Sequence, residues 1–134
     1  MTYLNDALGA FHPQVDQDAA VRFAVSILFS DKRFTELSYL LTEGHEIAGV
    51  EGDPGWLIER RDLDRSGEHS KYAEWPKNMQ FHVNVDPNLY ELAYPDMYLE
   101  KKEFYRYVGQ ALSVYAAHYP ADPNIELIQS QLKI

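Results

Sequence analysis

Between Thr35 and Glu59 the chain places six carboxylates, Glu36, Glu43, Glu46, Glu51, Asp53 and Glu59, and no lysine or arginine. Basic residues stand only at the borders, in Lys32, Arg33, Arg60 and Arg61. Such a run can be a solvated face that keeps a small protein soluble, or it can steer and dock a cationic partner from beyond contact range. A second acidic segment, Asp62-Leu63-Asp64-Arg65-Ser66-Gly67, has oxygen ligands at alternate positions and the glycine of a calcium loop. Calcium takes about six or seven oxygens, and the loop normally supplies a bidentate Glu at its last position. Here that position is Ala73, with Glu74 one residue late, so a polar turn between strands accounts for Asp62, Asp64 and Ser66 better than a cation site does. The five histidines, His12, His45, His69, His82 and His118, form no HExxH and no pair at helical spacing, and no metal is expected. Serines occur in no Gly-x-Ser-x-Gly elbow, and the glycines form no phosphate-binding or dinucleotide fingerprint, so no cofactor and no reaction is named. Glycosidase-like carboxylate pairs lack a geometric reason to select any two acids.

The balance of the whole chain leaves both readings open. Its 134 residues fit one domain spanning 1–134, and 46% apolar residues with 13% aromatics supply a core, so the net charge of -9 belongs to a folded surface. Residues 1 to 60 carry ten acids against four bases, and residues 61 to 134 carry eleven against eight, which concentrates the imbalance in the first part. A field of this sign repels nucleic acid and anionic membrane. No apolar run reaches the ~20 residues that cross a bilayer. The start, Met-Thr-Tyr-Leu-Asn-Asp, lacks a signal-peptide pattern, and a cytoplasmic protein is expected. Zero cysteines exclude disulfides, thiolate nucleophiles and Cys-ligated zinc together.

The elements that would position these residues follow from periodicity. From Val21 to Phe29 the odd positions are large and apolar, an alternation that predicts a strand. Phe34, Leu37, Leu40 and Leu41 predict a helix from Asp31 to about Glu43, capped by Ser30 or Asp31 and stopped by Gly44. The breakers Gly49, Gly52, Asp53, Pro54 and Gly55 make 44–55 an exposed loop carrying carboxylates. Strands are expected at Trp56 to Asp62 and at Met79 to Val85, the latter with His82 and Asn84 on a wet face, and a short edge strand at Leu89 to Tyr94 before Pro95. A long helix runs from about Glu100 to Tyr119 on Phe104, Val108, Ala111, Leu112, Tyr115 and Tyr119, and Asp122-Pro123 opens a final short helix. The fold class is therefore α+β, with helices on one face of a largely antiparallel sheet.

Ten tyrosines, five of them at Tyr90, Tyr94, Tyr98, Tyr105 and Tyr107, suit either a protein interface or half-buried core edges. The stretch Met79-Gln-Phe-His-Val-Asn-Val-Asp-Pro-Asn-Leu-Tyr-Glu-Leu-Ala-Tyr-Pro-Asp-Met-Tyr-Leu-Glu-Lys-Lys-Glu-Phe-Tyr-Arg-Tyr-Val-Gly-Gln-Ala-Leu resembles the small immunity proteins of bacterial polymorphic toxin and contact-dependent inhibition systems. The resemblance is one of style over the C-terminal half, without a diagnostic motif, and carries over no functional residue. It implies a stoichiometric inhibitor that binds a cognate toxin domain, frequently a basic nuclease, with acidic groups standing where the toxin would hold phosphates. On that reading Glu43, Glu46, Glu51, Asp53 and Glu59 form the contact surface, with Trp56 as an aromatic anchor. Two other classes stay open: a small enzyme or ligand-binding domain with its site between the sheet and the long helix, and a self-associating domain using the Tyr-rich half.

Overall fold

The computed structural model describes residues 15–52, 55–62, 75–86, 88 and 92–133. Among the described residues two helices come first, α1 (Ala19–Ser30) and α2 (Phe34–Leu41), then four strands, β1 (Gly49–Gly52), β2 (Trp56–Arg60), β3 (Phe81–Val85) and β4 (Asp96–Leu99). Two more helices follow, α3 (Lys101–His118) and α4 (Asn124–Leu132). The strands form an antiparallel meander in the order β1-β2-β3-β4. The α+β class read from the sequence holds.

Strand periodicity sorts the sheet into two faces. Trp56, Ile58 and Arg60 on β2 and Phe81, Val83 and Val85 on β3 are buried, as are Val50 and Leu99 on the edge strands. These meet a helical layer built on Val21, Val25, Phe29, Phe34, Leu37, Phe104, Val108 and Tyr115. Phe81 stacks on Phe104 with centroids 4.2 Å apart, and Phe29, Phe34 and Tyr115 form a cluster of edge and tilted contacts beneath α3. Burying each such ring contributes about 1.5–3 kcal/mol. The alternate residues, Glu51, Leu57, Glu59, His82, Asn84, Asp96 and Tyr98, point away from the helices.

Val21 to Phe29 is helix, not strand. Its burial stripe runs through Ala20, Val21, Ala24, Val25, Leu28 and Phe29, at steps of three and four. Phe23 and Ile27, which the alternation counted as buried, are only partly so. When nearly every residue of a segment is apolar, a period of two appears without a strand, and twelve residues with three alanines favour a helix.

The other elements move by less. α2 starts at Phe34 with Arg33 at its N-cap, so neither Ser30 nor Asp31 caps it. It ends at Leu41, and Gly44 then takes φ +81, a left-handed conformation cheap only for glycine. The carboxylate-bearing 44–55 segment is not all loop, because Gly49–Gly52 pairs with β2. Gly52 is required there, since a Cβ would lie 2.0 Å from the Trp56 indole.

The last strand follows Pro95 instead of preceding it. Proline donates no N–H but its carbonyl can accept, and Pro95 O takes the Val85 N–H at 2.8 Å as the ladder begins. Within the predicted 89–94 strand, Leu92 to Tyr94 is irregular and residues 89–91 lie outside the described residues. α3 opens with a capping box between Glu100 and Glu103. Pro123 stands at the N-cap of α4, and Asp122 just before it accepts the Asn124 N–H at 2.9 Å. Tyr119, expected to pack, is 40% exposed and lies under the Lys32 ammonium.

Candidate functional site

Pairing register builds the site on the outward face of the sheet. Glu59 on β2 stands opposite His82 on β3, and His82 stands opposite Tyr98 on β4. Asn84 stands opposite Asp96. His82 Nδ1 lies 3.2 Å from Glu59 Oε1, and its Nε2 lies 2.9 Å from Asp96 Oδ1. The Asn84 amide donates to the same Asp96 oxygen at 2.8 Å. Both carboxylates thus converge on one imidazole that spans three strands.

Aromatic rings hold that imidazole in place. Tyr98 stacks on it at 4.5 Å with a 20° interplanar angle, and Trp75 meets both rings edge-on at 5.7 and 5.4 Å. Trp75 is itself covered by the Arg61 guanidinium at 5.3 Å, which is anchored by donation to the Met79 carbonyl. Beyond Asn84, a shallow depression of about 340 Å³ is bordered by Glu51, Leu57, Asn84, Asp86 and the edge of Trp56. Four carboxylates, Glu51, Glu59, Asp86 and Asp96, therefore share one rigid surface with two large rings. Such a surface can receive Lys or Arg side chains: carboxylates accept their hydrogen bonds, and ring faces attract their charge.

The contact residues read from the sequence do not stay together. Glu51 and Glu59 lie on this face. Glu46 is exposed in the turn before β1. Glu43 accepts from Gln80 Nε2 at 3.0 Å and lies 3.8 Å from the Lys101 ammonium, so its charge is engaged beside α3. Asp53 lies outside the described residues. Trp56 is 3% exposed, packed on Gly52 with Arg33 5.2 Å above its ring; it is a core residue and offers a partner no anchor beyond an edge. Its type suggested an interface, but strand alternation turned it inward with Ile58.

Asp62 is also committed to structure. Its Oδ1 takes the Arg60 Nε–H and its Oδ2 the Gly44 N–H, both at 2.9 Å. Arg60, 1% exposed, uses its remaining donors on the carbonyls of Tyr39, Leu40 and His45. The pair caps the C-terminal end of α2 from inside the core, and both Asp62 oxygens are engaged in that joint. Asp64 and Ser66 lie outside the described residues. Sequence reasoning named neither Asp96 nor Trp75 nor the Arg60 cap. His82 and Asn84 were legible as a wet face, but the partner of each required the register.

Elsewhere, hydrogen bonding shifts several ionisable groups. The Arg33 bond holds Glu36 below the usual carboxylate range, and bonds from Tyr115 and the Asn124 backbone hold Asp122 low. Burial, reinforced by its 2.6 Å bond to Asp18, pushes the Tyr107 phenol up to about 12. No protein-family model, curated protein or solved structure matches the chain. Among the described residues no helix is long and apolar enough to cross a membrane.

Proposed function

We propose that the chain is an immunity-type inhibitor that neutralises a basic toxin domain by docking it on the outward face of the sheet. The observation that carries the reading is the convergence of Glu59 and Asp96 on His82 beside the Tyr98 and Trp75 rings, with Glu51 and Asp86 bordering the adjoining depression, in a chain of net charge -9. Phosphate-handling enzymes are cationic where they bind substrate, so an acidic face with aromatic relief is complementary to such a site. The sheet supplies rigidity, which lowers the ordering cost of association. Glu46 and Glu51 extend the negative field toward the β1 edge and steer approach. The contact set thereby changes from the sequence expectation: Glu51 and Glu59 stay, Asp86, Asp96, Trp75 and Tyr98 join, and Trp56 supports from beneath.

The test is capture from producing cells with wild-type protein and with the Glu51→Lys, Asp96→Lys double variant, each folded by circular dichroism. The expected result is a cationic polypeptide that is toxic when expressed alone, rescued by wild type, and bound about tenfold or more weakly by the variant with a shallower salt dependence. Equal rescue and equal salt dependence for the two proteins would remove the acidic face from the mechanism.

A further inference from the structure

We infer that the groove between the first half of α3, the approach to β3 and the end of α4 binds a small organic anion with an apolar body, a carboxylate or phosphate ester in chemical class. This goes beyond the docking reading and uses none of the residues of that face. The groove holds about 770 Å³ and is bordered by Gln80, Lys102, Tyr105, Arg106 and Leu132, with Gly109 in its wall. That size suits a small-molecule site.

Three local choices around the groove run against what the helix would take unaided. Lys102 and Arg106 are both exposed and stand four residues apart on one helical face, where like charges repel. Among the described residues neither forms an ion pair, whereas the adjacent Lys101 is drawn 3.8 Å from Glu43. Lysines in the first turn of a helix also oppose its dipole. Finally, Gly109 sits mid-helix, where glycine is among the least favourable residues. Packing does not demand it, because a Cβ there would meet nothing nearer than Leu132 Cδ1 at 3.9 Å. Local inconsistencies that coincide in space mark functional sites more often than scattered ones do.

One ligand resolves all three. An anionic group between Lys102 and Arg106 turns their repulsion into shared attraction, and the Arg106 guanidinium is steadied 4.8 Å over the Tyr107 ring. An apolar body then lies over the bare backbone at Gly109 against Leu132 and the Tyr105 ring. That ring is fixed by donation from its hydroxyl to the Leu41 carbonyl at 2.8 Å. The amides of the helix terminus are not what the groove offers, since Glu100 and Glu103 already close the capping box there.

The experiment titrates the full chain with 1-naphthyl phosphate, 1-naphthol and inorganic phosphate, by calorimetry and amide-shift mapping. The expected result is saturable binding of naphthyl phosphate about tenfold or more tighter than either fragment, weakened by salt, with shifts centred on 102–109 and Leu132. Lys102→Glu with Arg106→Glu abolishes it. Gly109→Ala raises the unfolding temperature while weakening the ligand several-fold, and Gly109→Leu removes binding. Naphthol or phosphate binding as tightly as the ester, shifts centred elsewhere, or no saturation at millimolar ligand would overturn the assignment. So would a Gly109→Ala protein less stable than wild type, because the glycine would then serve packing.

Discussion

Glu59 and Arg60 are consecutive residues of one strand, both charged, and the sheet sends them to opposite environments. Arg60 is 1% exposed and spends its donors on Asp62 and three carbonyls around the end of α2. Glu59 faces outward and shares His82 with Asp96, in side chains that keep 14 to 55% of their exposure. A carboxylate held by a neighbouring side chain therefore has two meanings. Buried, it is a structural joint whose failure strands charges in a low dielectric; half-solvated, it contributes little to stability and remains available to a partner.

The largest effect tests the buried side. Arg60→Ala removes the charged partner of Asp62 and the donor to the Tyr39, Leu40 and His45 carbonyls, and is expected to cost about 3–5 kcal/mol by urea denaturation. A loss below about 1 kcal/mol, the size of a surface pair, would erase the contrast. Trp56→Ala is expected to cost a similar or slightly smaller amount, about 3–5 kcal/mol, because it empties a core site beneath Gly52 and Arg33. If this variant instead folded with unchanged stability and lost only partner affinity, Trp56 would belong to the outward region after all.

Two titrations sharpen the comparison at intermediate size. The Tyr107 phenol is raised to about 12 in the fold against about 10 in the unfolded chain. Its contribution is therefore complete below pH ~10 and lost as the pH rises through ~12. Tyr107→Phe should flatten that alkaline limb of the unfolding temperature. Asp122 and Glu36 are depressed, so their contributions are present above their unfolded values near pH 4 and vanish as acid protonates the folded groups. Asp122→Asn should flatten part of the acid limb. The smallest effect lies on the outward face: Glu59→Gln should change stability by no more than about 1 kcal/mol while weakening a basic partner. A larger loss of stability would make the His82 cluster a structural joint like Arg60.

Much of the helical and strand inventory was legible because it depends on near neighbours. The α3 stripe through Phe104, Val108, Ala111, Leu112 and Tyr115 is buried as its spacing requires, and β3 keeps His82 and Asn84 outward as alternation requires. The misreading at Val21 to Phe29 has the same root, since a segment apolar on nearly every side carries no period to read and its contacts with α3 decide its conformation. The carboxylate run was visible as composition, but its members diverge: Glu51 and Glu59 face outward, while Glu43 turns to Lys101 and Gln80.

The sequence by itself determined a cysteine-free α+β chain of net charge -9, with a long capped helix and an outward polar strand face, because periodicity, capping and charge are local properties. Only the tertiary structure decided that Glu59, His82 and Asp96 meet, that Arg60 caps α2 from within, and that Lys102, Arg106 and Gly109 border one groove. Those meetings join residues up to tens of positions apart, and they follow from strand register and helix docking, which are set by burial of the whole core.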